Sequence, residues 1–378
     1  MDATVPAQHA PPSATTGGEV VLRTIGLSKQ YGRITAVNNL GLDVRQGDVF
    51  GLLGPNGSGK TTTLRMTLGL IFPTAGEIEL FGARISDTNH RRAALKRIGA
   101  IVEQPAFYPY LSGRENLRGV ATFAAMPSDA ATSRRVDEVL ELVGLAPRAG
   151  DAYRKYSLGM KQRLGIGAAL LARPDLIILD EPTNGLDPAG VVEVRALIGE
   201  LARGGTTVLL SSHLLHEVQQ VCTRVAILKQ GNLLAQGEVS TLLAASSGVL
   251  LGFTDPAELP KAAGVLLQAA GSEAPWLRGA GYVPPEPGAW VPPGGWLVRA
   301  DTDVAHAAAI NALLARHGIF AAEVRRYEGN LEQYFLALTG AEGQTPAPAP
   351  AQAAMPVVPG ASGTIAGAIA GAIEGGRA

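Results

Sequence analysis

Eight residues limit what this chain can become more than any others: Gly54-Pro55-Asn56-Gly57-Ser58-Gly59-Lys60-Thr61. They lie between the apolar run Val49-Phe50-Gly51-Leu52-Leu53 and the segment Thr62-Thr63-Leu64-Arg65-Met66. The order is strand, glycine-rich turn, helix. The spacing G-x-x-x-x-G-K-[ST] answers the crowded oxygens of a polyphosphate with three devices. Glycines let backbone N–H groups curl inward with no Cβ in the way, and a helix beginning near Lys60 adds unsatisfied donors and a positive dipole end. Lys60 brings a point charge for the β- and γ-phosphates, and the Thr61 hydroxyl can ligate magnesium. Gly54, Pro55, Asn56, Gly57, Ser58, Gly59, Lys60, Thr61 and Thr62 are therefore the expected nucleotide contacts. The competing reading is a chance turn in a chain with 47 glycines, and the flanking strand and helix argue against it. The motif predicts a bound nucleotide without saying what the nucleotide drives.

With 378 residues, 46% hydrophobic and 17% charged, the chain has room for one large domain and a smaller one. A formal net charge of -1 offers no global positive field, so nucleic acid is a poor expected partner. The single cysteine, Cys222, excludes an intramolecular disulfide framework and reads as a buried small hydrophobe. Met1 to Gly18 lacks the basic start and apolar stretch of a signal peptide and reads as a disordered leader. No window reaches the roughly 20 apolar residues that span a bilayer, so work at a membrane would need a partner.

From Glu19 to Val49, short apolar runs broken by Gly26, Gly32, Gly41 and Gly47 predict antiparallel strands leading into the loop. Tyr31 in this segment suits either stacking on a purine ring or a strand core. A helix from Lys60 to Gly69, a strand at Glu77 to Gly82 and another at Ile98 to Val102 follow, the last ending in Glu103-Gln104-Pro105. A polar side chain at the C-terminal end of a parallel strand stands where open α/β sheets bind ligands. The aromatic cluster Ala106 to Leu111 fits a docking surface better than ordinary core. Ser112-Gly113-Arg114-Glu115 has capping-box spacing and opens a helical region to about Gly150 that interrupts the strand-helix alternation.

Tyr156-Ser157-Leu158-Gly159-Met160 precedes a helical stretch from Leu164 to Ala172. Ser157 and Gly159 at a helix entrance make either an anion site or a simple cap. Leu176-Ile177-Ile178-Leu179 predicts a strand buried on both faces, and Asp180 and Glu181 at its carboxyl end are costly to bury unpaired. Asp180 suits magnesium held through water, and Glu181 suits polarising a water that attacks the γ-phosphorus. Asn184-Gly185-Leu186-Asp187-Pro188 forms a turn into the next helix. Thr207 to Ser212 predicts another buried strand, ending at His213, which can bond a γ-phosphate or sit as an ordinary surface histidine.

In that order, residues 20 to about 240 resemble the nucleotide-binding domain of the ATP-binding cassette transporter family. The resemblance implies an α/β phosphate-loop NTPase cassette: a mixed core sheet with antiparallel strands and an inserted helical subdomain at about 106–172. It implies ATP and Mg2+ as ligands. Tyr31 would stack on adenine, Lys60 would hold phosphate, and Thr61, Gln104 and Asp180 would serve the metal. Glu181, His213, Lys60 and Gln104 would carry catalysis. It further implies a head-to-tail dimer in which Ser157 and Gly159 of one subunit, with Asp187, close over ATP held by the other. A homodimer is the expected arrangement. The family's commonest signature is Leu-Ser-Gly-Gly-Gln, and Leu158 and Met160 depart from it while the serine and second glycine survive.

This variant, followed by Lys161-Gln162-Arg163, is similar to exporter cassettes for antibiotics, lantibiotics and lipids. The likeness extends to Gly329 to Gly340, which looks like that branch's usual ending. It implies an ATPase driving export through a separate membrane permease docked near Gln104 to Leu111, at the cytoplasmic face of the membrane. An importer cassette is the alternative, followed by a cassette ATPase of translation or DNA. A phosphate-loop GTPase or kinase would leave the signature, Gln104 and His213 unexplained, and no Asn-Lys-x-Asp motif occurs.

The expected domain order is a leader at 1–18, the cassette at 19–245, a small accessory α/β region at 246–340 and a Pro/Ala/Gly-rich tail at 341–378. In the accessory region a strand at Trp296 to Ala300, a helix at Ala305 to Arg316, a segment from Phe320 to Arg326 and a last helix near Leu331 to Leu338 are expected. The prolines from Pro284 to Pro293 mark a loop. Gly363, Gly367 and Gly371 recur at a helix-packing spacing, but the apolar run is too short to cross a membrane, and a flexible tail is the favoured reading.

Overall fold

The computed structural model describes residues 18–103, 106–283 and 295–339. The expected leader but for Gly18, the proline loop and the C-terminal tail lie outside these residues, as does Gln104. The chain begins with β1 (Val20–Tyr31) and β2 (Ile34–Arg45), a hairpin closed by a two-residue turn with Tyr31 opposite Ile34. Gly32 takes φ +57° there, as tight hairpin turns require. Next come β3 (Val49–Leu53), α1 (Lys60–Thr67), β4 (Ala75–Leu80), β5 (Ala83–Arg84), α2 (Thr88–Leu95) and β6 (Ile98–Ile101). Three helices follow: α3 (Gly113–Phe123), α4 (Ala130–Leu142) and α5 (Leu158–Leu170). The alternation resumes with β7 (Leu176–Leu179), α6 (Pro188–Arg203), β8 (Thr207–Ser212), α7 (Leu215–Val221), β9 (Arg224–Lys229), β10 (Asn232–Glu238) and α8 (Val239–Ser246).

Two sheets share this part of the chain. One is four-stranded and antiparallel, in the order β2-β1-β4-β5; the other has six strands, β10-β9-β3-β8-β7-β6. All neighbours in the second are parallel except the edge pair β9 and β10. Parallel strands covered on both faces should be continuously apolar, and β3 and β7 are buried at every position. Alternate residues divide between two cores. Val49, Leu53, Ile177, Leu179 and Val208 face the helices, while Phe50, Leu52, Ile178 and Leu209 face the antiparallel sheet.

The inserted helices join the first core through Leu117, Val136, Val139 and Leu164. The α3 capping box forms as expected, with Ser112 Oγ accepting from Glu115 N and Ser112 N donating to Glu115 Oε2 at 2.7 Å. Helix α5 starts at Leu158, six residues before the expected Leu164, so the signature runs through its cap, Ser157, into its first turn.

The segment from 248 to 327 builds a core of its own. Its elements are β11 (Gly248–Gly252), α9 (Glu258–Ala269), β12 (Gly279–Val283), β13 (Leu297–Asp301), α10 (Ala307–Arg316) and β14 (Glu323–Tyr327). The sheet order β12-β13-β11-β14, all antiparallel, is the split βαβ arrangement. Val249, Leu251 and Val298 pack on Leu266, Ile310 and Leu314. The sequence reading reached β13, α10 and β14 but missed β11, α9 and β12. The last helix, α11 (Leu331–Thr339), belongs elsewhere: Leu331 is fully buried in the cassette core, with Tyr334 and Phe335 packed against it. No helix among the described residues is long and apolar enough to cross a membrane.

Candidate nucleotide site

The loop 54–60 leaves β3 and turns into α1. Gly54 has φ +151°, and a Cβ there would stand 2.2 Å from Leu228 O and 2.6 Å from Ser58 Oγ. Only glycine fits that approach. Gly59 is the cap residue of α1, with no side-chain cap bond and no acidic residue in the first turn, so the positive end of the helix is not neutralised by its own sequence. Ser58 Oγ is buried without a hydrogen-bond partner, while Pro55, Asn56 and Gly57 are exposed and Thr61 and Thr62 half-buried. The Lys60 side chain is 5% exposed, and its Nζ donates to Gly54 O at 2.8 Å and Pro55 O at 3.3 Å.

Strands β7 and β8 bring the carboxylates to this loop. Asp180 Oδ1 accepts from Thr61 Oγ1 at 3.1 Å and from Ser211 Oγ at 2.6 Å. Glu181 N donates to Ser211 Oγ at 2.9 Å, and Glu181 holds a left-handed backbone, φ +49°, which non-glycine residues adopt infrequently. Its carboxylate lies between two basic groups: Oε1 is 3.3 Å from Lys60 Nζ and Oε2 is 2.7 Å from His213 Nδ1. Lys60, Thr61, Asp180, Glu181, Ser211 and His213 thus converge just beyond the carboxyl ends of β3, β7 and β8, three neighbouring parallel strands. Ligands of open parallel sheets bind at such ends.

The remaining expected residues stand apart from this cluster. Ser157 is exposed and caps α5 by accepting from Met160 N at 3.2 Å. Asp187 caps α6 through Gly190 N at 3.3 Å. The two caps are neighbours, since a Cβ on Gly159 would lie 3.7 Å from Gly190 Cα. Tyr31 is 48% exposed, with Lys29 Nζ 5.1 Å from its ring centroid, which removes the strand-core reading. Among the described residues no hydrogen bond or ion pair joins Ser157, Gly159 or Tyr31 to the phosphate loop. The aromatic cluster divides: Phe107 packs edge-on against Tyr153 at 5.2 Å, while Tyr108 and Tyr110 are exposed. Glu103, beside the undescribed Gln104, pairs with Arg65. A cleft of about 230 Å3 is lined by Leu158, Lys161 and Gln162 at the start of α5 together with Glu103, Asp180 and Glu181.

Sequence reasoning missed two parts. Ser211 closes the contact between β7 and β8, and a serine at the end of a buried strand was the signal for it. The buried pair Thr183 and Glu217, 2.5 Å apart, joins α7 to the turn after Glu181 and carries no local signature. Cys222 is fully buried, and burial pushes its thiol pKa up, away from nucleophile chemistry.

Known proteins are similar to this chain in sequence and fold. The ABC transporter family model matches residues 37–184. The bacitracin transport ATP-binding protein BcrA of Bacillus licheniformis is 48% identical over 217 residues, 57% of this chain and 69% of that protein. The lantibiotic transport ATP-binding protein SrtF of Streptococcus pyogenes is 37% identical, over 58% of this chain and 91% of its own length. Among solved structures, a dimeric ATP-binding cassette in a post-hydrolysis state with ADP and Pi is 25% identical. It has a TM-score of 0.52 over 58% of this chain and 98% of that one. Strand-end carboxylates, phosphate loop and relatives agree, and this chain belongs to the ABC transporter family as one of its ATP-hydrolysing subunits.

Proposed function

We propose that this chain is the motor of an exporter: two copies bind ATP between them and drive a separate membrane permease. The observation that carries the reading is the Glu181 carboxylate, held between Lys60 and His213 at the ends of adjacent strands. Lys60 exchanges its carbonyl partners for phosphate oxygens, and the free N–H groups at the start of α1 add donors. Thr61 and Asp180 present a hydroxyl and a carboxylate oxygen 3.1 Å apart, hard donors that fit Mg2+. Bound there, Mg2+ would supply Lewis-acid charge to the phosphate oxygens, with Gln104 as a further ligand. Glu181 orients and polarises the attacking water, and His213, oriented through Nδ1 by Glu181, offers Nε2 to the γ-phosphate. Tyr31 stacks on adenine.

The exposed Ser157, with Gly159 and Asp187, completes the site of a second copy, which agrees with the dimer of the related cassette. Tyr108, Tyr110 and Leu111, which follow Gln104 in the sequence, are exposed and form the docking surface for the permease at the cytoplasmic face of the membrane. The transport of bacitracin and of a lantibiotic by relatives supports an antibiotic peptide, drug or lipid as cargo. The test is Glu181→Gln, which keeps size and removes charge. ATP affinity should stay within about threefold while turnover falls ~100-fold or more. The variant should also elute as an ATP-dependent dimer. Turnover at the wild-type rate would overturn the role given to Glu181.

A further inference from the structure

We propose that α11 is a positioning clamp for His213: docked on α7, it holds that helix, and with it the imidazole, against Glu181. The inference rests on the role of His213 proposed above. Helix α7 begins two residues after His213 and is tied to its neighbours by hydrogen bonds and packing. Its Glu217 bonds the buried Thr183 of the turn after Glu181, and its Gln220 bonds Arg195 of α6. Its inner face lies so close to β3 that a Cβ on Gly51 would stand 2.7 Å from Val218 Cγ1 and 3.0 Å from Cys222 Sγ.

The remaining tie comes from far along the chain. Leu331 N, the first N–H of α11, donates to Gln219 Oε1 at 3.1 Å, and the Leu331 side chain is fully buried among residues that include Val218 and Val221. The start of α11 is well finished: Asn330 Oδ1 accepts from Gln333 N at 2.8 Å, and Asn330 N donates to Gln333 Oε1 at 3.2 Å. Gln219 thus accepts an N–H that would otherwise be left without a partner at a buried helix end. Only Glu328, Gly329 and Asn330 separate α11 from β14. A displacement of the β11–β14 sheet therefore has a short covalent route to the helix that sets His213, which gives the C-terminal part of the chain a means of regulating hydrolysis.

The test uses the full chain. Gln219→Ala should lower kcat about 3- to 10-fold, the effect of one hydrogen bond, with KM for ATP within about twofold. Amide exchange should quicken in 213–222 and 331–339 and stay unchanged in 54–67. Gln219→Glu, which keeps an oxygen acceptor at the same reach, should restore kcat. Unchanged kcat in Gln219→Ala, KM rising in step with the loss, exchange quickening across the whole cassette, or no rescue by glutamate would each overturn the clamp. His213→Ala in the same assay separates the two readings: normal turnover removes the role of His213 and the clamp with it. Lost turnover beside a normal Gln219→Ala removes the clamp alone.

Discussion

At the start of α1 the cap residue is Gly59, which brings no side chain to the free backbone donors, whereas at the start of α5 the Ser157 hydroxyl accepts from Met160 N. Both ends point a helix dipole toward an expected phosphate. The first is buried at Gly59 and Lys60, and the second is exposed at Ser157 and Leu158. An end with unsatisfied donors is ready for an anion without rearrangement. A self-capped end must share its hydroxyl with the newcomer, so it binds later and more weakly. On the proposed reading, one copy grips the nucleotide through α1, and α5 acts when a second copy presents it.

The sharpest way to break this contrast is to disable the two ends separately. Lys60→Ala should weaken ATP binding about 10- to 100-fold by removing a charge-assisted contact, read by calorimetric titration. Ser157→Ala should leave ATP affinity of the single chain unchanged and slow turnover about tenfold, while costing about 1 kcal/mol of stability through the lost cap. Mixing Lys60→Ala with Ser157→Ala should raise turnover above that of either variant alone, to roughly a quarter of wild type, because half of the pairs are mixed and each mixed pair keeps one intact site. No recovery would mean that each chain serves itself. Tyr31→Ala should weaken ATP by about 5- to 10-fold and spare inorganic triphosphate, which has no ring to stack.

The smallest effect concerns pH. Asp87, Glu115 and Asp129 are held below the usual carboxylate range first by backbone N–H donors at His90, Ser112 and Thr132, at the starts of α2, α3 and α4. A depressed folded-state pKa contributes stability above the ordinary carboxylate pKa, and that contribution is lost as pH falls through the folded value. Urea midpoints should therefore drop slightly as pH falls below about 4.5, with a shallower slope for Asp129→Asn. These carboxylates stand apart from the ATP-binding end of α1, whose donors have no acidic cap to titrate.

The cassette was legible where chemistry forces a local pattern. Aliphatics from Leu176 to Leu179 ending in two carboxylates, or glycines spaced around Lys60, have few other uses. Glu217 and Gln219 were not legible, because each acts on a residue more than 30 positions away and looks ordinary in its own segment. The early start of α5 was hidden by Gly159, Gly165 and Gly167, poor helix formers that are buried there against neighbouring elements. In the C-terminal part, β11 and β12 begin at glycines and α9 is rich in alanine. Glycines at their starts make β11 and β12 read as turns, whereas α9 does carry a helical period at Leu259, Ala262, Ala263 and Leu266, which the sequence reading passed over.

The continuity of the apolar interior has a calorimetric consequence. Leu117, Val136 and Leu164 of the helical insert share one cluster with Ile177 and Val208 of the sheet and with Leu331, while Val249, Leu266 and Ile310 form another. Heating should therefore give two endotherms rather than three. The last helix should melt with strands more than a hundred residues upstream in the chain rather than with the strand it directly follows.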